Sequence, residues 1–397
     1  MRAYAKMGGT YIYGNELTFT TARQPSVNTA EVNNITATSA LCGGTISECG
    51  QNVTAKGLCW GTSSSPTISG SHSYDGTGTG SFTSIMTGLT LGTTYYVRAY
   101  ATTAAGTVYG NQRSFTVTGP EGSITGLFSV SATQQVWFSQ GNLQYQASTN
   151  TWRFATNQFD YIGYLNGYIS STYSGWIDLF GWGTSGYNHG AVCYQPWSVS
   201  ETNSDYYAYG SSTYNLYNQT GKADWGYNAI NNGGNQTNQW RTLTKDEWEY
   251  VFNTRSTASG IRFAMATVNE VYGVILLPDN WNASYYSLNN TNIGNDYTFY
   301  SNNIITAEDW VNSLEANGAV FLPITGYRRG SESPTGAGHE SPSNGYGGLY
   351  WSSSYSDSSN AYYLHFWGKG QGGSSFYTQS SLGRSYGLAV RLVRNAQ

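Results

Sequence analysis

The chain repeats itself, and the period limits what its first third can fold into. Arg2-Ala3-Tyr4-Ala5 leads through Tyr13-Gly14-Asn15 to Phe19-Thr20, and the same series returns as Arg98-Ala99-Tyr100-Ala101, Tyr109-Gly110-Asn111 and Phe115-Thr116. From Arg2 to Arg98 the offset is 96 residues, and it holds to the end of the series without a gap. A unit of that size made of short β-rich runs is one β-sandwich module. Residues 1–22 therefore read as the last two strands of a truncated preceding copy, and residues 23–118 as a complete one. Runs at 35–40, 55–60, 80–86, 94–101 and 114–118 are separated by Gly, Thr and Ser turns, as a sandwich requires. Gly76-Thr77-Gly78-Thr79-Gly80 has the glycine density of a phosphate loop, but no helix pattern follows it, so it reads as a hairpin turn.

At 397 residues a second domain is expected after the module. Only 10% of residues are charged, whereas Tyr (35), Gly (49) and Trp (13) are abundant, which argues against disorder. It also suits an extracellular or cell-surface setting, where Ser, Thr, Asn and Tyr take the place of Lys and Glu on the exterior. The net charge of −4 without a Lys/Arg run speaks against nucleic acid as a partner. No stretch approaches the ~20 apolar residues of a membrane span. No secretory leader is visible, and because Met1 opens directly into a strand-like run, the true N-terminus is expected upstream, signal sequence included. The four cysteines are Cys42, Cys49, Cys59 and Cys193. Free buried thiols are the default; a Cys42–Cys59 or Cys42–Cys49 bond is left undecided by the sequence.

Gly119-Pro120-Glu121-Gly122 punctuates the boundary, and residues 119–127 read as a linker. The second domain, residues 128–397, begins extended, then runs from 161 to 236 as a long Gly/Asn/Tyr/Trp-rich segment with little periodicity. Within it Asp178, Trp182, Asp224 and Trp225 read as loop anchors, rings inward and short acids closing turns. Thr244-Lys245-Asp246-Glu247 is a capping box, with Trp248, Val251 and Phe252 on one helical face. Thr306 opens a second helix with Trp310 and Leu314 inward, and Asn317-Gly318 stops it. Residues 274–278 and 319–323 each read as a short buried strand.

The end of the chain mixes two kinds of sequence. Tyr350-Trp351-Ser352-Ser353, Ala361, Phe366 and residues 387–394 have the look of framework, with strand-forming alternation at 362–366 and 388–393. Between them lie Trp, Phe, Tyr, Gln, Lys and Ser in no helical or strand period, the composition of a binding face. Framework Trp351, Ala361, Phe366, Gly387, Val390 and Arg391 should be buried. Leu349, Tyr355, Asp357, Tyr363, His365, Trp367, Lys369, Gln371, Phe376, Tyr377, Gln379, Leu382, Ser385 and Tyr386 should point outward together as a ligand-binding face.

Three resemblances attach to these motifs. Residues 95–101 (YYVRAYA) followed by 106–117 (GTVYGNQRSFTV) resemble the fibronectin type III-like, Ig-like modules of Bacteroidetes surface proteins. Residues 350–354 (YWSSS), 360–366 (NAYYLHF) and 387–394 (GLAVRLVR) resemble the C-terminal variable region of diversity-generating-retroelement target proteins, above all those of gut Bacteroidetes. Trp240-Arg241-Thr242-Leu243-Thr244 and Glu247-Trp248-Glu249-Tyr250 are similar to the signature of formylglycine-generating-enzyme-like domains. The resemblance covers roughly residues 124–397. It implies a C-type-lectin-like fold with a variable region at about 344–387, in which selected codons are rewritten while the framework persists. The expected fold class is mainly β with some α: an N-terminal Ig/fibronectin-III-like β-sandwich followed by an α+β C-type-lectin-like fold with long irregular loops.

Enzymatic chemistry is not expected. The enzyme relatives of that fold hold copper with a cysteine pair, and here only Cys193 lies beyond residue 118. Calcium-dependent lectins carry paired acid/amide triplets; residues 278–282 (PDNWN) are a partial look-alike without the partner triplet. His72, His189, His339 and His365 are scattered, with no metal-ligand spacing. Asp246, Glu247 and Glu249 read as cap and solvated face. No cofactor or metal is expected. The function expected is a surface protein that displays a diversified face to an unknown protein or glycan ligand on another cell or phage. The alternatives are a non-diversified structural or adhesive protein of the same fold and, disfavoured, a formylglycine-generating-type enzyme.

Overall fold

The computed structural model describes residues 1–18, 23–36, 38–47, 50–187, 194–293, 297–332, 347–366 and 376–396. The protein is mainly β with some α, and it divides into two compact units, Met1–Thr118 and Gly119–Gln397.

The first unit is an antiparallel sandwich. One sheet has the order β3-β4-β7 (Val27–Thr29, Ser39–Ile46, Gly80–Thr87). The other runs β10-β8-β5-β6 (Arg113–Thr116, Thr94–Thr103, Ala55–Gly61, Ser71–His72), with β9 (Gly106–Tyr109) also on β8. Ala40, Cys42 and Met86 from one sheet meet Leu58, Val97, Ala99 and Phe115 from the other in a single core. Strand alternation explains the pattern, since every second side chain of each sheet faces the other sheet. Cys42 and Cys59 are buried free thiols there; Cys49 and Cys193 lie outside the described residues.

Two strand expectations shift. The run expected at 35–40 forms its strand later, from Ser39, because the Thr36 hydroxyl accepts from Ser39 N at 3.0 Å and closes a turn first. The glycine run at 76–80 is no hairpin turn: it carries the chain from β6 in one sheet to β7 in the other, with positive φ at Gly76, Gly78 and Gly80.

The hairpin β1-β2 (Tyr4–Met7, Thr10–Tyr13) repeats the pairing of β8 with β9 at the same offset. Tyr4 faces Tyr13 as Tyr100 faces Tyr109, and Met7 faces Thr10 as Thr103 faces Gly106. The environments differ. Tyr100 and Ala101 are buried, whereas every residue of β1 and β2 is exposed.

In the second unit, residues 119–127 are not a free linker. Ile124 is buried and its N–H donates to Phe138 O at 2.9 Å, while Ser123 bridges Ser139. One sheet joins β11 (Phe128–Ser129), β12 (Gln135–Phe138), β25 (Leu392–Asn395) and β15 (Arg241–Thr242) in that order. Another has the order β18-β16-β17-β19 (Ile304–Ile305, Phe263–Val268, Val271–Leu276, Val320–Pro323). It is buried on both faces: Val274, Leu276, Val320 and Leu322 enter one core, and Ile275 and Phe321 another with Trp281 and Trp310. Hence the continuous apolar runs of the sequence.

Both helix starts form as their residues dictate. At α1 (Lys245–Glu249) the Thr244 hydroxyl accepts from Glu247 N, and the Glu247 carboxylate accepts from Thr244 N. A π-turn, Tyr250–Thr254, continues it with Val251 and Phe252 buried. At α2 (Ala307–Asp309) the Thr306 hydroxyl accepts from Asp309 N, and Gly318 ends the element at φ +87°. The long stretch after residue 161 packs as irregular loops around Trp182 and Trp225, both fully buried. Asp224 closes its turn by accepting from Gly226 N and then takes Thr242 N and Oγ1, which locks the loop to β15.

Arg391 crosses the centre of this unit. It is fully buried; Nη2 donates to Gln158 Oε1 at 2.6 Å, and Nη1 reaches Phe321 O at 3.4 Å and Asn142 Oδ1 at 3.5 Å. Arg391→Ala should destabilise the unit by about 3–5 kcal/mol, through the cavity it leaves and the buried acceptors it strands. Arg391→Met, which keeps the volume, should lose less. Urea unfolding followed by tryptophan fluorescence checks this, because Trp60 is the first unit's one tryptophan; equal losses for the two variants would place the effect in the lost hydrogen bonds rather than in packing.

Candidate functional site

The terminal sheet has the order β21-β22-β23 (Gly348–Tyr355, Asn360–Phe366, Tyr377–Gly383). The register sets Leu349 opposite His365 and Trp351 opposite Tyr363. Tyr350, Leu364 and Phe366 enter the core under α1, whereas Leu349, Trp351, Ala361 and Tyr363 enter the core built by the long loops. The sheet is therefore covered on both faces. Framework residues Trp351, Ala361, Phe366, Gly387, Val390 and Arg391 are all buried.

Two irregularities shape the sheet. Between Trp351 and Tyr355 the register to β22 shifts. In the Ser-rich segment so displaced, Ser352 O accepts from Trp182 Nε1 at 2.9 Å, Ser353 N donates to Leu243 O, and Ser353 O accepts from Leu216 N. A second shift lies between Tyr363 and His365 against β23. Such bulges re-aim side chains. Here Thr378 turns inward and donates to Glu249 of α1, while Tyr377 stays exposed beside His365 at 6.3 Å between ring centroids.

On the loop side a recess of 210 Å³ remains open, lined by Tyr327, Gly347, Leu349, Tyr363, His365, Leu382 and Tyr386. Leu349, Tyr363, His365, Leu382 and Tyr386 were all expected on the binding face, and the fold brings them together. They form walls rather than projections: Leu349, Tyr363 and His365 are 6%, 8% and 7% exposed. His365 stacks on Tyr363 at 5.7 Å, and Tyr327 packs on Tyr386 at 5.5 Å. Gly347 falls within the expected variable region, whereas no sequence signal marks Tyr327.

The remaining expected residues divide. Tyr377 and Gln379 are exposed on β23. Tyr355 is half-buried at the end of β21, its N–H held by Asn215 Oδ1 at 3.0 Å. Asp357 is exposed but caps the β21-β22 turn through Ser359 N and Asn360 N. Burial corrects five of the outward expectations: Leu349, Tyr363 and His365 are buried walls of the recess, and Phe376 and Ser385 leave the face altogether. Phe376 does not face outward: it is 9% exposed and lies 4.6 Å from both Phe252 and Phe263, where apolar burial outweighs any binding role. Ser385 does not either: it is buried and its hydroxyl donates to Asn203 Oδ1 at 2.8 Å, tying down a loop. Trp367, Lys369 and Gln371 lie outside the described residues, as do His189 and His339.

The recess is neutral and aromatic. Burial pushes the Tyr363 phenol up and the His365 imidazole down to about 4. At neutral pH this gives an apolar surface with a phenol and an uncharged imidazole as polar handles, the makeup of a ligand pocket. The partial calcium look-alike is structural. Asp279 pairs with Arg255 at 3.0 Å and accepts from Ser129 N, Ser129 Oγ and Gln135 Nε2. Among the described residues no helix is long and apolar enough to cross a membrane.

No protein family matches the chain, and no curated protein does. Among solved structures, the chain is similar to the sensor domain of the anti-sigma factor RsgI4 of Pseudobacteroides cellulosolvens. The identity is 17%, with a TM-score of 0.19, over 24% of this chain and 95% of that one. It is also similar to the 6th fibronectin type III domain of human fibronectin type III domain containing protein 3, at 22% identity and TM-score 0.18, over 28% of this chain and 94% of that one. An FN3 domain of human collagen XX matches at 14% identity and TM-score 0.18, over 26% and 99%. The class that the fold defines rests on strand order: an Ig/fibronectin-III-like sandwich unit followed by an α+β unit with long loops.

His365 carries a pH prediction. An unfolded histidine takes up a proton as pH falls through its ordinary 6.5, while the folded one resists until about 4. The unfolded state binds more protons in that window, so stability is full above 6.5, falls between 6.5 and 4, and levels off below. The loss should be roughly 3 kcal/mol. Urea midpoints across this range should show a slope in the wild type that His365→Gln lacks; parallel curves would mean that His365 is not buried neutral.

Proposed function

We propose that residues 128–397 form a C-type-lectin-like ligand-binding domain of the retroelement-diversified kind, displayed at the cell surface by the β-sandwich. The observation that carries the reading is the convergence of Leu349, Tyr363, His365, Leu382 and Tyr386 on one recess. These positions were picked out by motif, not by proximity. The recess receives an apolar or aromatic group of a protein or glycan ligand, and exposed Tyr377 and Gln379 on β23 extend the face. Phe376 and Ser385 belong to the frame. The domain binds rather than catalyses: beyond residue 118 the chain has Cys193 alone, too few thiols for the fold's copper chemistry.

The test is genetic. Gene copies from a natural population should differ mainly at the codons for the recess and rim residues, with Trp351, Ala361, Phe366, Gly387, Val390 and Arg391 constant. A near-identical template repeat should lie beside a reverse-transcriptase gene. Identical codons at the recess with no such repeat would turn the reading to a fixed structural or adhesive surface protein. Once a ligand is in hand, Tyr377→Ala should weaken binding by roughly 2 kcal/mol, as exposed aromatic anchors do. Its cost to stability should stay within about 0.5 kcal/mol, measured by denaturant midpoint.

A further inference from the structure

A second recess, of 460 Å³, lies among residues that the terminal sheet does not supply. It is lined by Gln144, Arg153, Phe159, Asp160, Tyr161, Ile162, Asn269, Glu270 and Val271. Its polar floor is a cross-strand pair on the hairpin of β13 (Leu143–Gln146) and β14 (Thr151–Phe154), where Gln144 faces Arg153. Gln144 is 2% exposed, and its Oε1 accepts from Arg153 Nε at 2.9 Å. That bond fixes the amide orientation, because the guanidinium only donates. The Gln144 NH2 is left without a protein acceptor among the described residues, as are the Arg153 Nη groups. Arg153 is held by the Trp176 ring, 3.7 Å from the guanidinium carbon. Neither the Gln144 amide nor the Arg153 guanidinium is sealed inside the protein: both line the recess, so what fills the recess supplies their acceptors.

The rim supplies acceptors. Glu270 lies at the tip of the β16-β17 hairpin, where Asn269 and Glu270 take φ values of +47° and +66°. A two-residue turn of this left-handed kind takes Asn-Gly by preference; a glutamate there is strained. Asp160 stands opposite in charge to Arg153, with oxygens already accepting from Asn157 N and Nδ2. An inorganic anion would meet Glu270 and Asp160, and a simple cation would meet Arg153. A hydroxyl both donates and accepts, so a ring of hydroxyls satisfies Gln144, Arg153 and Glu270 at once. Phe159, Tyr161 and Ile162 offer the apolar wall against which a sugar's C–H face packs, and the volume lies within the range of small-molecule sites.

We propose that this recess is a saccharide-binding site, with Gln144, Arg153 and Glu270 as its hydrogen-bonding groups. It shares no residue with the recess of the terminal sheet and stands whether or not that face is diversified.

Saturation-transfer NMR on the full chain tests it, with glucose, galactose, mannose, rhamnose, N-acetylglucosamine and glucuronic acid as probes and glycine as the zwitterionic comparison. At least one saccharide should show transfer. Its affinity should fall by about tenfold or more in Gln144→Leu, Arg153→Met and Glu270→Gly, and should be unchanged in Tyr377→Ala. Glu270→Gly is the deciding variant. It relieves the left-handed strain, so its melting temperature should be no lower than wild type while its binding is lost. No transfer from any saccharide at tens of millimolar, glycine binding in their place, or full affinity in Glu270→Gly would each overturn the assignment.

Discussion

The second unit depends on how a guanidinium can sit in its centre. Arg391 has no carboxylate within ion-pair distance among the described residues, and burial lowers its pKa to about 10, so it stays charged at neutral pH. The charge is tolerated because neutral acceptors are held in place around it. Gln158 Oε1 accepts from Arg391 and also from Phe321 N, while Gln158 Nε2 donates to Ala319 O and Glu315 Oε1. Asn142 presents its oxygen to Arg391 and its amide to the Tyr350 hydroxyl, which donates to Pro323 O. Four distant stretches of chain are tied by one cation. Arginine suits the task because its planar fork presents several donors in fixed directions.

The same device recurs at the edges of the loops. Arg384 is fully buried; its Nη2 donates to Ser212 O and Asp357 O, and the guanidinium lies over Trp182 and Tyr207. Arg328 donates to Ser198 O and Gly330 O, and Arg255 to Val251 O and Arg262 O. Irregular backbone has no ladder partner for its carbonyls, so a loop-rich unit must find donors elsewhere. Buried arginines and indole N–H groups supply them here. With charged residues at 10% of the chain, several of its arginines are spent inside.

What the sequence made legible follows from that division. The capping box at Thr244, the N-cap at Thr306, the stop at Gly318 and the apolar runs of β17 and β19 are local signals, and local physics decides them. The β1-β2 and β8-β9 hairpins share one register because a gapless repeat preserves it. The terminal sheet was legible by half. Alternation separates Tyr363 and His365 from Leu364 and Phe366, but parity cannot say whether the second face meets water. It meets the loops instead, because residues far upstream, Trp182 and Trp225 among them, build a second core against it. Phe376 and Ser385 misled for the same reason. An aromatic and a serine in an aperiodic stretch look alike whether their partners are solvent, or Phe252 and Asn203.

That double coverage bears on which side chains of the terminal sheet can be replaced without unfolding the unit. The bonds that hold the recess in shape are made by atoms that a substitution in its walls leaves alone. Trp351 Nε1 donates to Phe180 O, Trp182 Nε1 to Ser352 O, and β21, β22 and β23 are joined by main-chain ladders. Leu349, Tyr363, Leu382 and Tyr386 contribute contact area and ring stacking, which many apolar or aromatic replacements can restore in part. The side chains on the opposite face, Tyr350 and Phe366 with Phe376, are locked among α1 and β16 residues and leave no such freedom. A sheet wrapped on one side by a close-packed core and on the other by loops pinned through their backbone has its lesser packing constraint on the side where the open recess lies.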